Sequence, residues 1–299
     1  MKKSAYAIIG MLLLVSIAPV SVGSNFLRES QLNVSCDDPG EVEYWAVCVF
    51  GFNESDAALI QHVYMYDAVV DLDCYPSDHI RYLGIENATR ETVLDALDWA
   101  ADMADENDIV LYAHNSHGVR RNGEYGVALY DSSFISVDDF DEKFDAFSCG
   151  GLCVVFDSCL SGTFVDRAAS SILKRHNQVS YDEAFRTGLE GDGRVILMST
   201  LPRGLGFSAK AIDENETMVD VGFSKFVADA LLGQGDGNGD GMVSAEEAFS
   251  FARRKFVPFA LLMCFALRQQ IMAFFQSGFF IKAFPTIADG FEGDLMLTT

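Results

Sequence analysis

Four apolar runs constrain this chain more than any other feature: YWAVCVFGF (44–52), DIVLYAH (108–114), LCVVFD (152–157) and RVILMST (194–200). A strand with one wet face alternates polar and apolar residues. A run without alternation belongs to a strand covered on both faces. The intervening stretches carry helical spacing, over 56–71, 89–104, 137–147 and, after the last run, 222–232. Thr89 and Glu91 supply polar groups to the first turn of the second. IRYLG (80–84) reads as one more short strand. Strands alternating with helices at this spacing imply an α/β fold, a three-layer αβα sandwich around a mostly parallel sheet. In such folds functional groups gather beyond the carboxyl ends of the strands. The stretch shows no internal repeat.

Two of those strand ends carry chemistry. Cys159 lies two residues past the run ending at Asp157, in CVVFDSCLSG, and His117 lies three past the run ending at His114, in YAHNSHGVR. Taken singly, Cys159 reads as a buried thiol and His117 as a surface loop histidine. Taken together they read as a pair. A thiolate attacks a carbonyl, and a nearby imidazole stabilises the thiolate and protonates the leaving group. A glycine follows each, Gly118 and Gly162, where backbone N–H groups can approach a developing oxyanion. His114, inside its strand, reads as a packed residue, and His62, His79 and His176 have no partner spacing.

The segments AHNSHG and VFDSCLSG resemble the paired motifs of the caspase-like superfamily of cysteine peptidases, which includes legumains, caspases and metacaspases. The similarity extends over residues 41 to about 256, and PTIADGFEGDLML is similar to the closing segment of prokaryotic members. The resemblance implies a caspase-like fold with Cys159 as nucleophile, His117 as base, and the N–H groups of Gly118 and Cys159 as the oxyanion hole. The Gln-Ala-Cys signature of caspases is absent, and Asp157-Ser158-Cys159 looks closer to metacaspases. There the acid two residues before the nucleophile helps bind a substrate Arg or Lys. Asp157 matches it, which implies cleavage after a basic residue. Legumain-like cleavage after Asn or Asp stays open.

A second motif is independent of the first. DGNGDGMVSAEE (236–247) fits a twelve-residue calcium loop position by position. Asp236, Asn238 and Asp240 supply oxygens at positions 1, 3 and 5. Met242 supplies its carbonyl, Ser244 a hydroxyl or a bound water, and Glu247 a bidentate carboxylate. Gly241 stands where the chain must turn sharply, and Val243 takes the aliphatic position. The bland alternative is an acidic turn without metal. The chain has a single loop of this kind, entered through Gly233 and Gly235. This suits one structural Ca²⁺ rather than a paired sensor.

Composition closes off one class of partner. With 44 acids against 21 bases and a net charge of −23, the chain has little with which to neutralise a nucleic-acid backbone. The expected partners are protein or peptide substrates. Residues 1–23 combine Lys2, Lys3, an apolar core and a small-residue cleavage site, so they read as a signal peptide, with an uncleaved anchor as the alternative. Four N-x-S/T sites, at Asn33, Asn53, Asn87 and Asn215, are compatible with export. Seven cysteines leave at least one thiol unpaired. Cys36 and Cys74 lie in loop-like stretches open to a disulfide, while Cys48 and Cys153 fall in buried runs.

The expected organisation is therefore a signal peptide (1–23), a linker (24–40), a caspase-like domain (41–256) containing the calcium loop, and an apolar segment with a closing strand (257–299). Residues 257–284 are long enough to span a bilayer, but Arg268, Gln269 and Gln270 fall near their centre. Two short buried helices are the first reading, and contact with a membrane surface or a partner the second. The function that follows is an exported, calcium-stabilised cysteine endopeptidase acting through Cys159 and His117. The alternative is a catalytically silent calcium-binding surface or interaction protein on the same scaffold.

Overall fold

The computed structural model describes residues 40–52, 64–158, 189–200, 209–212, 218–266 and 284–299. The signal peptide and linker expected before residue 40 lie outside the described residues.

The apolar runs form the centre of one sheet. Strands β1 (Tyr44–Phe50), β2 (Ile80–Gly84), β3 (Ile109–Asn115), β7 (Gly151–Asp157) and β8 (Arg194–Met198) are mutually parallel. β11 (Thr286–Asp289) closes the edge antiparallel to β8, giving the order β11-β8-β7-β3-β1-β2. β1 is buried along its whole length and β3 and β7 along all but their last residue, as strands without alternation must be.

Each face of the sheet packs on helices because successive side chains point to opposite sides. Tyr44, Ala46, Cys48, Leu111 and Val155 join one core with α1 (Tyr64–Val70), α4 (Phe223–Asp229) and α5 (Ala245–Ala266). Trp45, Val47, Tyr112, Val154 and Phe156 join the other with α2 (Arg90–Met103) and α3 (Val137–Phe144). The three-layer α/β sandwich with a mostly parallel sheet is thus the observed fold.

Local signals set the helix starts. Thr89 caps α2, but its reciprocal partner in the capping box is Thr92, three residues on, rather than Glu91. Ser136 and Asp139 form the same box on α3. Of the helix expected over 56–71, residues 64–70 are helical and residues 56–63 lie outside the described residues. α3 ends at Phe144, three residues short of the expected end. α5 runs without interruption through the expected boundary at 256/257 as far as Ala266. The start of the apolar segment, residues 257–266, therefore continues the helix that leaves the acidic loop. Among the described residues no helix is long and apolar enough to cross a membrane.

Two small sheets were not anticipated. β4 (His117–Arg121), β5 (Glu124–Ala128) and β6 (Phe134–Ser136) form an antiparallel meander, and β9 (Ala209–Ile212) pairs with β10 (Met218–Val221). The meander was legible. Asn122 and Gly123 join β4 to β5, both at positive φ (51° and 96°), the backbone that a two-residue hairpin turn demands and Asn-Gly supplies.

Candidate active site at the ends of β3 and β7

β3 and β7 are neighbours, and Asn115 is the register partner of Asp157. His117 follows Asn115 by two residues, and Cys159 follows Asp157 by two. Cys159 itself lies outside the described residues. His117 is not a loop residue, as its sequence context suggested, but the first residue of β4, paired with Ala128. Its exposed ring packs edge-on against Phe52 at 4.9 Å between centroids. Gly118 follows in the same strand, opposite Val127.

The corner between β3 and β4 is held from the side by β1. The N–H of Gly51 donates to the Asn115 carbonyl at 2.9 Å. Position 51 needs glycine because a Cβ there would meet Leu129 at 2.9 Å and Ser116 at 3.0 Å. Packing against the Leu129 and Ser116 side chains, not a special φ, is the constraint.

Below the corner lies His114, 2% exposed. It was expected to be a packed residue, and it is packed, with Phe140 and Phe156 rings each 5.8 Å away. It is also hydrogen-bonded through both nitrogens: Nδ1 lies 2.6 Å from the Tyr112 hydroxyl and Nε2 lies 2.8 Å from the Ser116 hydroxyl. Burial pulls its pKa down to about 3, so the ring is neutral at ordinary pH.

Asp157 is bound into the fold. Its Oδ2 accepts the backbone N–H of Ser224, at the start of α4, at 2.8 Å. Burial pushes its carboxyl above the usual range, while hydrogen bonds from Ser224 and Ser199 pull the other way. No cation among the described residues pairs with it. Beside it a small cavity between β1, β3 and α1, lined by Phe50, Met65, Asn115 and Ser224 among others, has about 20 Å³ of room. That admits one water and no side chain. Ser199 and Ser224, the partners of Asp157, carry no motif that sequence reading could have flagged.

The acidic loop is folded through its own backbone. Asp236 accepts N–H bonds from Gly239 (2.6 Å) and Gly241 (3.0 Å), and Asn238 accepts one from Asp240 (2.8 Å). Asp240 accepts the Met242 N–H at 2.8 Å. Glu247 reaches back from the first turn of α5 to the N–H groups of Gly237 (3.1 Å), Asn238 (3.2 Å) and Ser244 (3.2 Å). Gly239 and Gly241 adopt φ of +81° and +90°. Among the described residues no three His, Cys, Asp or Glu side chains are gathered closely enough to hold a metal ion. The donor set of the loop is nonetheless all oxygen, which suits a hard cation such as Ca²⁺.

The loop is also tied to the chain's end. Val243 donates to Thr298 Oγ1 at 2.7 Å and accepts from Leu297 at 2.9 Å, while Ala245 donates to the Leu295 carbonyl at 2.8 Å. Val243, Leu295 and Leu297 are all buried in the core on that side. The expected closing segment is therefore two features, the edge strand β11 and this short ladder, with Ser244 bridged to Met296. Cys74, packed near the same end, is a free thiol, and Cys36 lies outside the described residues.

The sequence description of the caspase domain matches residues 54–220, more than half of the chain. The chain belongs to the caspase-domain family. That family comprises cysteine peptidases, which act on protein or peptide substrates. The caspase-domain match spans both strand ends described above and stops short of the acidic loop. Among solved structures, Caspase-1 from Spodoptera frugiperda matches over 90% of this chain and 98% of its own, with a TM-score of 0.50 and 12% identity. At that identity the likeness is one of fold. A protein from Geobacter sulfurreducens matches over 71% of this chain and 89% of its own, with a TM-score of 0.46 and 14% identity. None of the curated proteins compared with this caspase-domain chain matches it.

Proposed function

We propose that this chain is an exported cysteine endopeptidase in which Cys159 and His117 cut peptide bonds. The observation that carries the reading is the register of β3 and β7. Asn115 and Asp157 are partners on adjacent parallel strands, and His117 and Cys159 each follow two residues later. Neighbouring strands run about 4.8 Å apart, so the two segments leave the sheet side by side.

The chemistry then has assigned roles. The Cys159 thiolate adds to the scissile carbonyl carbon, and the resulting oxyanion takes N–H bonds from Gly118 and Cys159. As the carbon–nitrogen bond breaks, the His117 imidazolium gives its proton to the departing amine, leaving a thioester. A water that His117 deprotonates then cleaves the thioester and restores the thiol.

Cleavage after Arg or Lys is part of the proposal. Its support is Asp157, an acid at the end of β7 with no cationic partner among the described residues. An incoming guanidinium or ammonium would supply the missing charge. The same acid already holds Ser224, so it would serve substrate and scaffold together.

The proposal includes one structural Ca²⁺ held by Asp236, Asn238, Asp240, the Met242 carbonyl, Ser244 and Glu247. When bound, the ion would neutralise the crowded acids of this loop. Its support is the all-oxygen donor set and the loop's ties to α5 and the C-terminal ladder. Export rests on the composition of residues 1–23.

The test is a positional peptide library assayed with the intact protein, Cys159→Ala and His117→Ala. Cleavage just after Arg or Lys, lost in both variants, is the expected result. Strong cleavage after Asn or Asp would replace the assigned preference. No cleavage by the intact protein would leave the non-catalytic surface protein as the better description.

A further inference from the structure

We infer that His114 is a positioning residue for His117: as the Nε2–H tautomer it ties Ser116 to Tyr112 and so holds the corner from which His117 projects. The inference rests on the peptidase reading of His117. Its structural half, the tautomer and the tie, stands independently of that reading.

The tautomer follows from counting donors. A neutral imidazole has one N–H and one bare nitrogen. The Tyr112 hydroxyl is fully buried, and its one partner among the described residues is His114 Nδ1 at 2.6 Å. Were Nδ1 protonated, the Tyr112 O–H would be left buried with nothing to accept it, which carries the full desolvation cost of an orphaned donor. Burial raises the Tyr112 pKa well above its ordinary value, so the hydroxyl keeps its proton. The Tyr112 O–H therefore donates to Nδ1, and Nε2–H donates to Ser116 Oγ at 2.8 Å. Ser116, itself 2% exposed, immediately precedes His117.

Packing alone does not account for an imidazole here. His114 is surrounded by the rings of Tyr112, Phe140 and Phe156 at 5.8 Å, a setting that a phenyl ring would fill without desolvating two nitrogens. What the imidazole adds is two directed bonds, one to its own strand and one to the corner beyond it. Other holds on this corner include the Gly51 N–H on the Asn115 carbonyl, the Phe52 ring against His117 and the pairing of His117 with Ala128. Without the bond from below, the Ser116 side chain loses its hydrogen bond to the ring beneath it. A displacement of about 1 Å in a catalytic group is enough to cost up to 10²-fold in rate.

The experiment compares the intact protein with His114→Phe, His114→Gln and Ser116→Ala, using imidazole ¹⁵N NMR and steady-state kinetics on one peptide. The Nε2–H pattern is expected for His114. His114→Phe should lower kcat about 10–100-fold with KM changed less than threefold, and should shift the His117 ring resonances. Gln can accept from Tyr112 and donate to Ser116, so His114→Gln should recover most of that loss. Ser116→Ala, a smaller change that preserves packing, should reproduce the kcat loss even if His114→Phe folds poorly. An Nδ1–H tautomer overturns the inference. So does an unperturbed His117 in both His114→Phe and Ser116→Ala, or an equal loss in His114→Phe and His114→Gln. If the intact protein cleaves nothing, the peptidase reading fails, and the tautomer and the His117 resonances still decide whether His114 positions the corner.

Discussion

The Asp157 carboxylate takes the backbone N–H of Ser224 at 2.8 Å, joining the end of β7 to the start of α4 across 67 residues of chain. Its charge and its hydrogen bond can be separated. Asp157→Asn keeps an oxygen for Ser224 and removes the charge. It should abolish the preference for a basic residue before the cut while leaving the melting temperature within about 2 °C. Asp157→Ala should lose both, with a penalty of about 1–3 kcal/mol for the orphaned N–H. A peptide library and thermal melts on the two variants check this. Retention of the basic preference in Asp157→Asn would remove Asp157 from substrate recognition.

Acid should weaken the fold through His114. Its folded pKa is lowered to about 3, whereas the unfolded imidazole takes up a proton near pH 6.5. Between those values the unfolded state binds more protons. His114's contribution is therefore fully present above pH 6.5 and is lost as the pH falls toward 3, at up to about 1.4 kcal/mol per pH unit. Asp157, whose pKa is raised, acts in the opposite sense, since its folded form holds a proton more tightly as the pH falls. Urea unfolding of the intact protein and His114→Gln between pH 4 and 8 isolates the histidine. The difference between the two curves should grow below pH 6.5, and parallel curves would contradict the buried neutral imidazole.

Thiol reactivity should be selective. Burial lifts Cys149 to about 11 and Cys48 to about 12, and raises Cys153 still further, so at pH 7.5 none of these is a thiolate. Iodoacetamide should therefore label Cys159 ahead of these three, and His117→Ala should slow that labelling. Peptide mapping by mass spectrometry reads the order. Labelling of Cys48 or Cys153 at a rate matching Cys159 would count against an activated nucleophile.

Calcium should act on stability rather than on turnover. Binding to the folded state alone stabilises by about 2.7 kcal/mol at a hundredfold excess over Kd. EGTA should lower the melting temperature, Glu247→Gln should reproduce most of that loss, and activity well below the melting point should fall less than tenfold. Because Val243 and Ala245 are bonded to residues 295–298, Thr298→Ala should also lower the melting temperature, with or without the ion. An EGTA effect on turnover with an unchanged melting curve would move the ion into the chemistry.

The parts of this protein that sequence determined are those set by local rules. β1, β3, β7 and β8 are visible as runs without alternation, since a strand covered on both faces turns mostly apolar side chains to both sides. The Thr89 cap lies within one turn of helix, and the β4–β5 turn is set by the adjacent pair Asn122-Gly123. Tertiary structure alone decided which strand ends became neighbours. It brought Asn115 level with Asp157, gave Asp157 its partner in Ser224, and joined Val243 to the last residues of the chain. It also turned His114 from one more apolar-run residue into the link between Tyr112 and Ser116. Periodicity reports which face of an element is buried. It carries no information about the group waiting there, because that contact is settled only when segments far apart in the chain compete for the same buried hydrogen bond.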